Sequence, residues 1–313
     1  MKRYLKAASL VVGSLFMLGV LAGCGGSKEA PKPADKPADT AKKMTVGIAL
    51  STLNNPFFVD MRDGAQAAAD KMGAKLVVMD AQDDASKQVS QVENLIQQKV
   101  DIILLNPTDS DGLVTAVKDA NKANIPVITL DRSVSGGDVV SHIASDNVSG
   151  GKLAADFVVK SLNGKGKVAE LEGIAGTSAA RDRGQGFHSL IDSEKEIKVV
   201  AKQPADFNRS KGMTVMENIL QSQPDIQAVF CHNDEMALGA LQALQAAKKN
   251  VILVGFDGGA DAVKAVQEGK MSATVAQQPK LIGEMGVQTA EKVVKKEKVE
   301  AKIPVALKLI TKQ

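Results

Sequence analysis

The chain has 313 residues, of which 44% are hydrophobic, 24% charged and 3% aromatic, and its formal net charge is +3. That excess equals the three positive side chains of residues 1–23, which include no acidic residue, so the remainder carries no net charge. A neutral remainder excludes a nucleic-acid partner recruited by charge, and its length is sufficient for two lobes.

The first residues predict export from the cytoplasm. Lys2, Arg3 and Lys6 precede an apolar run at 7–20 that is too short to span a membrane, a pattern typical of a secretory signal peptide. The next four residues, Leu-Ala-Gly-Cys, resemble the lipobox of a bacterial lipoprotein. We therefore predict a lipoprotein signal peptide at 1–23 and a lipid anchor on Cys24. The alternative is an ordinary signal peptide with an incidental cysteine.

A flexible tether is predicted to follow. Residues 25–43 are mainly Gly, Ser, Pro, Ala, Lys and Asp, without large apolar side chains, so they cannot offset the entropy lost on folding. Together with the lipidated Cys24 they form a predicted tether over 24–43.

Short apolar, β-branched runs then alternate with amphipathic segments. The predicted strands of the first half are 45–50, 76–79, 102–105 and 127–130. Continuously apolar strands indicate a sheet that is covered on both faces. The segments between them carry an apolar stripe typical of a helix, at Phe58, Met61, Ala65, Ala68 and Met72 and again at Val89, Val92, Leu95 and Ile96.

The same alternation restarts after Asn147, with predicted strands at 168–171, 199–201, 228–230 and 251–254. The predicted fold class is therefore α/β, with two similar lobes, each a doubly wound parallel sheet. In open α/β sheets, ligands bind beyond the carboxyl ends of the strands. Two lobes that face each other at these ends would enclose a ligand in a cleft.

Aromatic rings are scarce after the leader, where there is no Trp or Tyr and only seven Phe. Four of them fall in or next to predicted strand-to-helix loops, namely Phe57, Phe58, Phe207 and Phe256. Aromatic rings suit the apolar faces of a sugar, whereas its hydroxyls need charged or amide partners. The four rings are candidate sugar contacts, and the alternative for each is a place in the hydrophobic core.

Polar candidates lie near predicted strand ends or in loops: Asn55, Asn106, Asp131, Arg132, Arg183, Asn233, Asp257 and Gln277. Carboxylates accept hydrogen bonds from paired hydroxyls, guanidinium groups donate them, and amides do both. The alternatives are helix capping for Asn106 and Asn233, turn positions for the two aspartates, and a solvated surface position or a salt bridge for each of the two arginines.

The sequence gives less support to an enzymatic function or to a bound cofactor or metal. Two carboxylates such as Asp131 and Asp257 could hydrolyse a glycoside, although Arg132 and Phe256 stand directly beside them. Three histidines lack metal-ligand spacing with cysteine or acidic residues, and we interpret them as hydrogen-bonded structural or surface residues: His142, His188 and His232. No P-loop motif occurs. We predict no enzyme, no cofactor and no metal.

Eight segments carry a family resemblance: 51–58, 106–109, 125–132, 142–147, 173–181, 203–207, 233–240 and 255–258. They resemble the ribose-binding proteins of bacterial ABC importers, within the pentose and hexose periplasmic-binding-protein family of type I fold. The resemblance implies that Phe57, Phe58 and Phe207 sandwich a sugar, that Phe256 lines the pocket, and that the eight polar candidates contact its hydroxyls.

The resemblance also implies three crossings between the lobes, which together form the hinge. The N-terminal lobe would comprise 44–145 and 278–306, and the C-terminal lobe 146–277 and 307–313. The sequence departs from the family pattern at Cys231-His232, where the pattern has Ala-Gln, and at Gln278, where it has Leu. The lipobox is a further departure.

The implied function is capture of a monosaccharide, D-ribose foremost, by hinge closure and its delivery to an ABC permease. We expect a monomer anchored on the outer face of the membrane, with a chemoreceptor as a second candidate partner. The alternatives are a binding protein for another pentose, hexose or furanose-like signal molecule, and a secreted sugar-processing enzyme. A transcription regulator of this fold is disfavoured, because a signal peptide stands where a DNA-binding helix-turn-helix would be.

Overall fold

The computed structural model describes residues 43–312. The predicted signal peptide, the anchor at Cys24 and all but the last residue of the predicted tether lie outside this range. Among the described residues, no helix is both long enough and apolar enough to cross a membrane.

The described residues form twelve strands in two six-stranded sheets. In chain order the strands are β1 Thr45–Leu50, β2 Lys75–Asp80, β3 Ile102–Leu105, β4 Val127–Leu130, β5 Ser141–Ser145, β6 Lys165–Glu172, β7 Glu196–Pro204, β8 Ala228–Cys231, β9 Ile252–Asp257, β10 Ala273–Ala276, β11 Lys302–Val305 and β12 Lys308–Thr311. The eight strands predicted from apolar runs are confirmed to within a few residues at their ends.

Nine helices accompany these strands between residues 43 and 312. They are α1 Pro56–Met72, α2 Ala85–Gln97, α3 Val114–Lys122, α4 Asn147–Ser161, α5 Ser178–Ile191, α6 Arg209–Ser222, α7 Asp234–Ala246, α8 Ala260–Gln267 and α9 Pro279–Val294. The predicted stripe of α1 is confirmed, because Phe58, Met61, Ala65 and Ala68 are buried and Met72 packs at the edge of the same cluster.

The two sheets have equivalent strand orders. The N-terminal sheet runs β11-β5-β4-β3-β1-β2 and the C-terminal sheet β12-β10-β9-β8-β6-β7, and we name the two lobes after them. All pairings are parallel except that of β12 with β10. This is the predicted fold class, two similar doubly wound α/β lobes.

The chain passes between the lobes three times. It leaves the N-terminal sheet after β5, because α4 packs on β9 and β10, and it returns after β10, because α9 packs on β3, β4 and β5. The third passage joins β11 directly to β12 through Ala306 and Leu307. No helix lies between β11 and β12 to carry the chain back to the end at which the other strands begin. Strand β12 therefore enters the C-terminal sheet in the opposite direction and pairs antiparallel with β10.

Hydrophobic clusters cover both faces of each sheet, as the continuously apolar strands predicted. Helix α1 contacts α9 so closely that a Cβ atom on Gly64 or Gly283 would overlap the backbone of the other helix. This close contact fixes α1 on its sheet and thereby sets the position of its first turn, where Phe57 and Phe58 lie.

Candidate functional site

Nine of the twelve candidate residues line one cavity of about 230 Å³ between the lobes. The N-terminal lobe supplies Asn55, Phe57, Phe58, Asp131 and Arg132, and the C-terminal lobe supplies Arg183, Phe207, Asn233 and Asp257, with Ala179 beside them. These residues follow the carboxyl ends of strands in both sheets, where a doubly wound fold places its ligands.

The aromatic wall of the N-terminal lobe is set by the start of α1. Asn55 caps this helix, since its Oδ1 accepts a hydrogen bond from the backbone N of Phe57 at 2.9 Å, and Pro56 favours the first helical position. Phe57 and Phe58 therefore lie in the first turn. Their rings meet edge to face, with centroids 5.2 Å apart.

Asp131 stands at the end of β4 with a positive φ of 61° and is only 3% exposed. Its Oδ2 accepts from Asn106 Nδ2 at 3.3 Å, whereas its Oδ1 is buried without a hydrogen-bond partner. Burial raises the pKa of Asp131 above its ordinary value, although the neighbouring Arg132 opposes the shift. The carboxylate is thus oriented by the protein on one side and open to a ligand on the other.

Asn106 lies behind Asp131 and does not line the cavity. Its Oδ1 accepts from the backbone N and Oγ of Ser51, at 3.2 and 2.7 Å, and its Nδ2 also donates to the Leu130 carbonyl oxygen. The helix that follows begins only at Val114, so Asn106 is not a helix cap either. Its hydrogen bonds are used to orient Asp131.

Arg132 joins the two lobes. Its guanidinium carbon lies 5.0 Å from the ring centroid of Phe58 and 5.2 Å from that of Phe207, so one cation contacts an aromatic ring of each lobe. Its Nε lies 3.8 Å from Asp131 Oδ2 and is buried without a hydrogen-bond partner. Of its two predicted alternatives, the solvated surface position does not apply because Arg132 is buried, whereas the salt bridge is present, with Asp131.

Arg183, on α5, is held firmly in the C-terminal lobe. Its Nε donates to Asn147 Oδ1 at 2.9 Å and its Nη1 to the His232 carbonyl oxygen at 2.6 Å. Its guanidinium carbon lies 3.9 Å from the ring centroid of Phe256. Phe256 is fully buried in the core and does not line the cavity, so it supports Arg183 from behind.

Asp257 faces the cavity from the end of β9. Its Oδ1 accepts from Gln277 Nε2 at 2.9 Å and from Arg183 Nη1 at 3.5 Å. Burial raises the pKa of Asp257 to about 7 in spite of Arg183. Gln277 lines a larger adjoining cleft that shares Asn55, Phe57 and Asp257 with the cavity, and its Oε1 is buried without a partner.

Phe207 and Asn233 are linked to each other. Phe207 has a positive φ of 56°, and its carbonyl oxygen accepts from Asn233 Nδ2 at 3.3 Å. The Oδ1 of Asn233 caps α7 by accepting from the backbone N of Met236 at 2.9 Å. The capping alternative therefore holds for Asn233, while the same side chain also lines the cavity.

Three residues that build the site were not singled out from the sequence. Ala179 lines the cavity, Ser51 holds Asn106, and Asn147 holds Arg183. Residue type gave no signal for them, but all three fall inside segments that carried the family resemblance.

The lobes contact each other at the rim of the cavity. The backbone N of Ser110 donates to the Gly176 carbonyl oxygen at 3.0 Å, and that of Ser133 donates to Ser178 Oγ at 2.9 Å. The structure is thus a closed arrangement in which both lobes reach one small cavity. Within residues 43–312, no cluster of three or more His, Cys, Asp or Glu residues is arranged to hold a metal ion.

The family model for the periplasmic binding protein domain matches residues 46–298. The chain is 57% identical over 277 residues to the ribose import binding protein RbsB of Escherichia coli strain K12, covering 88% of this chain and 93% of that protein. It is 50% identical over 311 residues to RbsB of Bacillus subtilis strain 168, covering 98% and 99%.

Solved structures show the same fold. The ABC transporter solute binding protein from Bacillus halodurans C-125 with bound myo-inositol has a TM-score of 0.82 and 36% identity, covering 86% of this chain and 94% of that one. A periplasmic solute binding protein from Actinobacillus succinogenes 130z with bound D-allose has a TM-score of 0.81 and 32% identity, covering 86% and 98%.

Proposed function

The chain belongs to the periplasmic binding protein domain family, and we propose that it captures D-ribose between its lobes and delivers it to an ABC importer. The proposal draws its ligand from the two relatives named above as ribose import binding proteins. It draws its mechanism from the geometry of the cavity.

The observation that carries the proposal is a set of unpaired polar atoms. Of the six buried side-chain N and O atoms without a hydrogen-bond partner among the described residues, two belong to residues that line the cavity, Asp131 Oδ1 and Arg132 Nε, and a third, Gln277 Oε1, belongs to the adjoining cleft. Leaving such an atom unpaired costs about 1–3 kcal/mol. Sugar hydroxyls both donate and accept, so they can satisfy the acceptor and the donor at the cavity while Phe57, Phe58 and Phe207 cover the faces of the ring.

The proposed closure of the two lobes around the sugar follows from the way in which the sugar-binding residues are divided between them. Asp131 and Arg132 lie on one lobe and Arg183 and Asp257 on the other, so a ligand gains all contacts only when the lobes are together. We assign 44–145 with 278–306 to the N-terminal lobe and 146–277 with 307–313 to the C-terminal lobe. The three connecting segments are then the hinge.

The proposed place of action is the outer face of the cell membrane. A signal peptide at 1–23 would direct export and be removed, and a lipid on Cys24 would then hold a monomer beside its permease. A chemoreceptor is a second partner for the closed form. The lipobox supports this proposal. Loss of membrane retention in a Cys24→Ala variant is the expected result, and unchanged retention would contradict the anchor.

Calorimetric titration tests the ligand. We expect D-ribose to bind at least about tenfold more tightly than D-allose, D-galactose or D-xylose. Tighter binding of another sugar would favour the alternative of a different monosaccharide-binding protein, for which the neighbours with bound myo-inositol and D-allose are the precedent. We further propose that the protein does not catalyse, so both free sugars and glycosides should be recovered unchanged. Release of free sugar from a glycoside would assign Asp131 and Asp257 to hydrolysis.

A further inference from the structure

A buried carboxylate lies beneath the C-terminal half of the cavity. Glu170, on β6, is 0% exposed. One of its oxygens is 2.7 Å from Nε2 of His232, and the other is 2.7 Å from Nε2 of His188. We name these three residues the His–Glu–His network. None of them lines the cavity, and the function proposed above uses none of them.

The contacts of the network fix where its protons are. The backbone N of Gly173 donates to Nδ1 of His232 at 3.3 Å, so this nitrogen carries no proton and Nε2 must donate to Glu170. His188 contacts Glu170 through Nε2 and Asp192 through Nδ1, the latter at 2.9 Å, so both of its nitrogens must donate. His232 is therefore a neutral ring of defined tautomer, and His188 is the cation that balances the buried charge of Glu170.

His232 connects the network to two residues of the sugar site. Its carbonyl oxygen accepts from Nη1 of Arg183 at 2.6 Å. Its partner Gly173 lies directly against the ring of Phe207, where even a Cβ atom would overlap that ring. One imidazole, held at both nitrogens, therefore fixes the backbone behind the arginine and the backbone beneath the aromatic ring.

We infer that His232 is a positioning residue for sugar binding, which sets Arg183 and Phe207 through its bonds to Glu170 and Gly173. The inference rests on the proposed function. Removing a charge this completely from water is costly, so the two well-formed partners of Glu170 indicate a role in fixing geometry rather than in stability alone.

The test compares three variants for ribose affinity by calorimetry and for unfolding temperature. His232→Gln keeps an N–H donor for Glu170, so we expect its affinity to stay within about threefold of the parent. His232→Leu removes both ring contacts, and we expect affinity to fall about tenfold or more. His142→Leu is the matched control. His142 does not line the cavity, and its Nδ1 is hydrogen-bonded to Thr129 Oγ1 at 2.8 Å, so this variant should lower stability without changing affinity.

His232→Leu leaves Glu170 without one of its partners, so a second variant guards against misfolding. The double variant Glu170→Leu with His232→Leu removes the buried charge together with its buried neutral partner His232, and His188 keeps its contact with Asp192. A protein core typically tolerates such a replacement. We expect this double variant to fold and to bind ribose weakly. Parental affinity in either His232→Leu variant would overturn the inference.

Histidine spectra provide a test that needs no sugar. In ¹⁵N-labelled protein at pH 7 we expect His232 as the neutral Nε2–H tautomer and His188 doubly protonated. A protonated Nδ1 on His232 would overturn the inference. A parent protein that fails to bind ribose would contradict the proposed function instead, and the spectra would still decide whether the network exists.

Discussion

The side chains of the site divide into those that face the cavity and those that lie behind and hold the first group in place. Asp131 and Arg132 face it with unpaired atoms, while Asn106 and Phe256 lie behind and orient them and Arg183. Sequence reasoning selected all of these residues because their types suit a sugar. It could not separate the two groups, because depth behind the cavity depends on contacts with residues distant in the chain.

Asp131→Ala should abolish most of the sugar affinity. The variant removes a buried acceptor for paired hydroxyls and leaves Arg132 without its carboxylate, so we expect a loss of about a hundredfold or more by calorimetry. The fold should survive, since burial already disfavours this charge and raises its pKa. Asp119→Ala is the control, because that carboxylate pairs with Lys122 on the surface. Parental affinity in Asp131→Ala would refute the assignment of the pocket.

Among the elements, those with the strongest apolar signal were predictable. Strands β1, β3 and β4 lie inside the sheet, are mainly apolar and are found at their predicted bounds. Strands β5, β10, β11 and β12 were not predicted from periodicity, because all four are short and lie at or next to a sheet edge, and three of them carry Ser, His, Lys or Pro. Their strand conformation depends on pairing with neighbours rather than on local sequence.

At the scale of α5, His188 near the end of this helix leads us to predict that the stability of the protein depends on pH. Hydrogen bonds to Glu170 and Asp192 raise the pKa of His188 from 6.5 to about 9. Because the folded state holds this proton more tightly than the unfolded state, the stabilisation is fully present below pH 6.5 and is lost as pH rises through 9. Without solvent screening the shift would correspond to about 3 kcal/mol, and the partial exposure of His188 reduces this difference in stability to on the order of 2 kcal/mol.

Urea unfolding of the parent and of His188→Gln across this range measures the effect. The difference in unfolding free energy between them should shrink between pH 6.5 and 9. A difference that stays constant over that interval would show that His188 is not the charged partner of Glu170.

At the scale of the whole molecule, closure depends on a close contact at the rim. Gly176 belongs to the C-terminal lobe, and a Cβ atom there would overlap the carboxylate of Asp109 on the other lobe. Gly176→Ala should therefore oppose the closed state, weaken ribose binding by about tenfold or more and reduce the compaction seen by X-ray scattering on adding ribose.

Gly73→Ala is the matched control for this variant. Gly73 has a φ of 66° and Gly176 one of 87°, so both substitutions bring similar backbone strain, but nothing lies within 4 Å of a Cβ at position 73. The control should lose some stability and keep its affinity. Equal affinity in the two variants would mean that the rim contact does not govern closure.

The two-lobe architecture itself was predictable, because alternating apolar strands and amphipathic helices restart midway along the chain. The closing contacts were not, since they join backbone atoms of loops such as Ser110 and Gly176 whose sequence carries no pairing signal.

A crystal structure of the protein grown with D-ribose tests the central claim most directly. We predict one sugar in the cavity, bonded to Asp131 and Arg132 from one lobe and to Arg183 and Asp257 from the other, with Phe58 and Phe207 on its faces. A ribose bound elsewhere, or held by one lobe alone while the other stands away, would contradict the account.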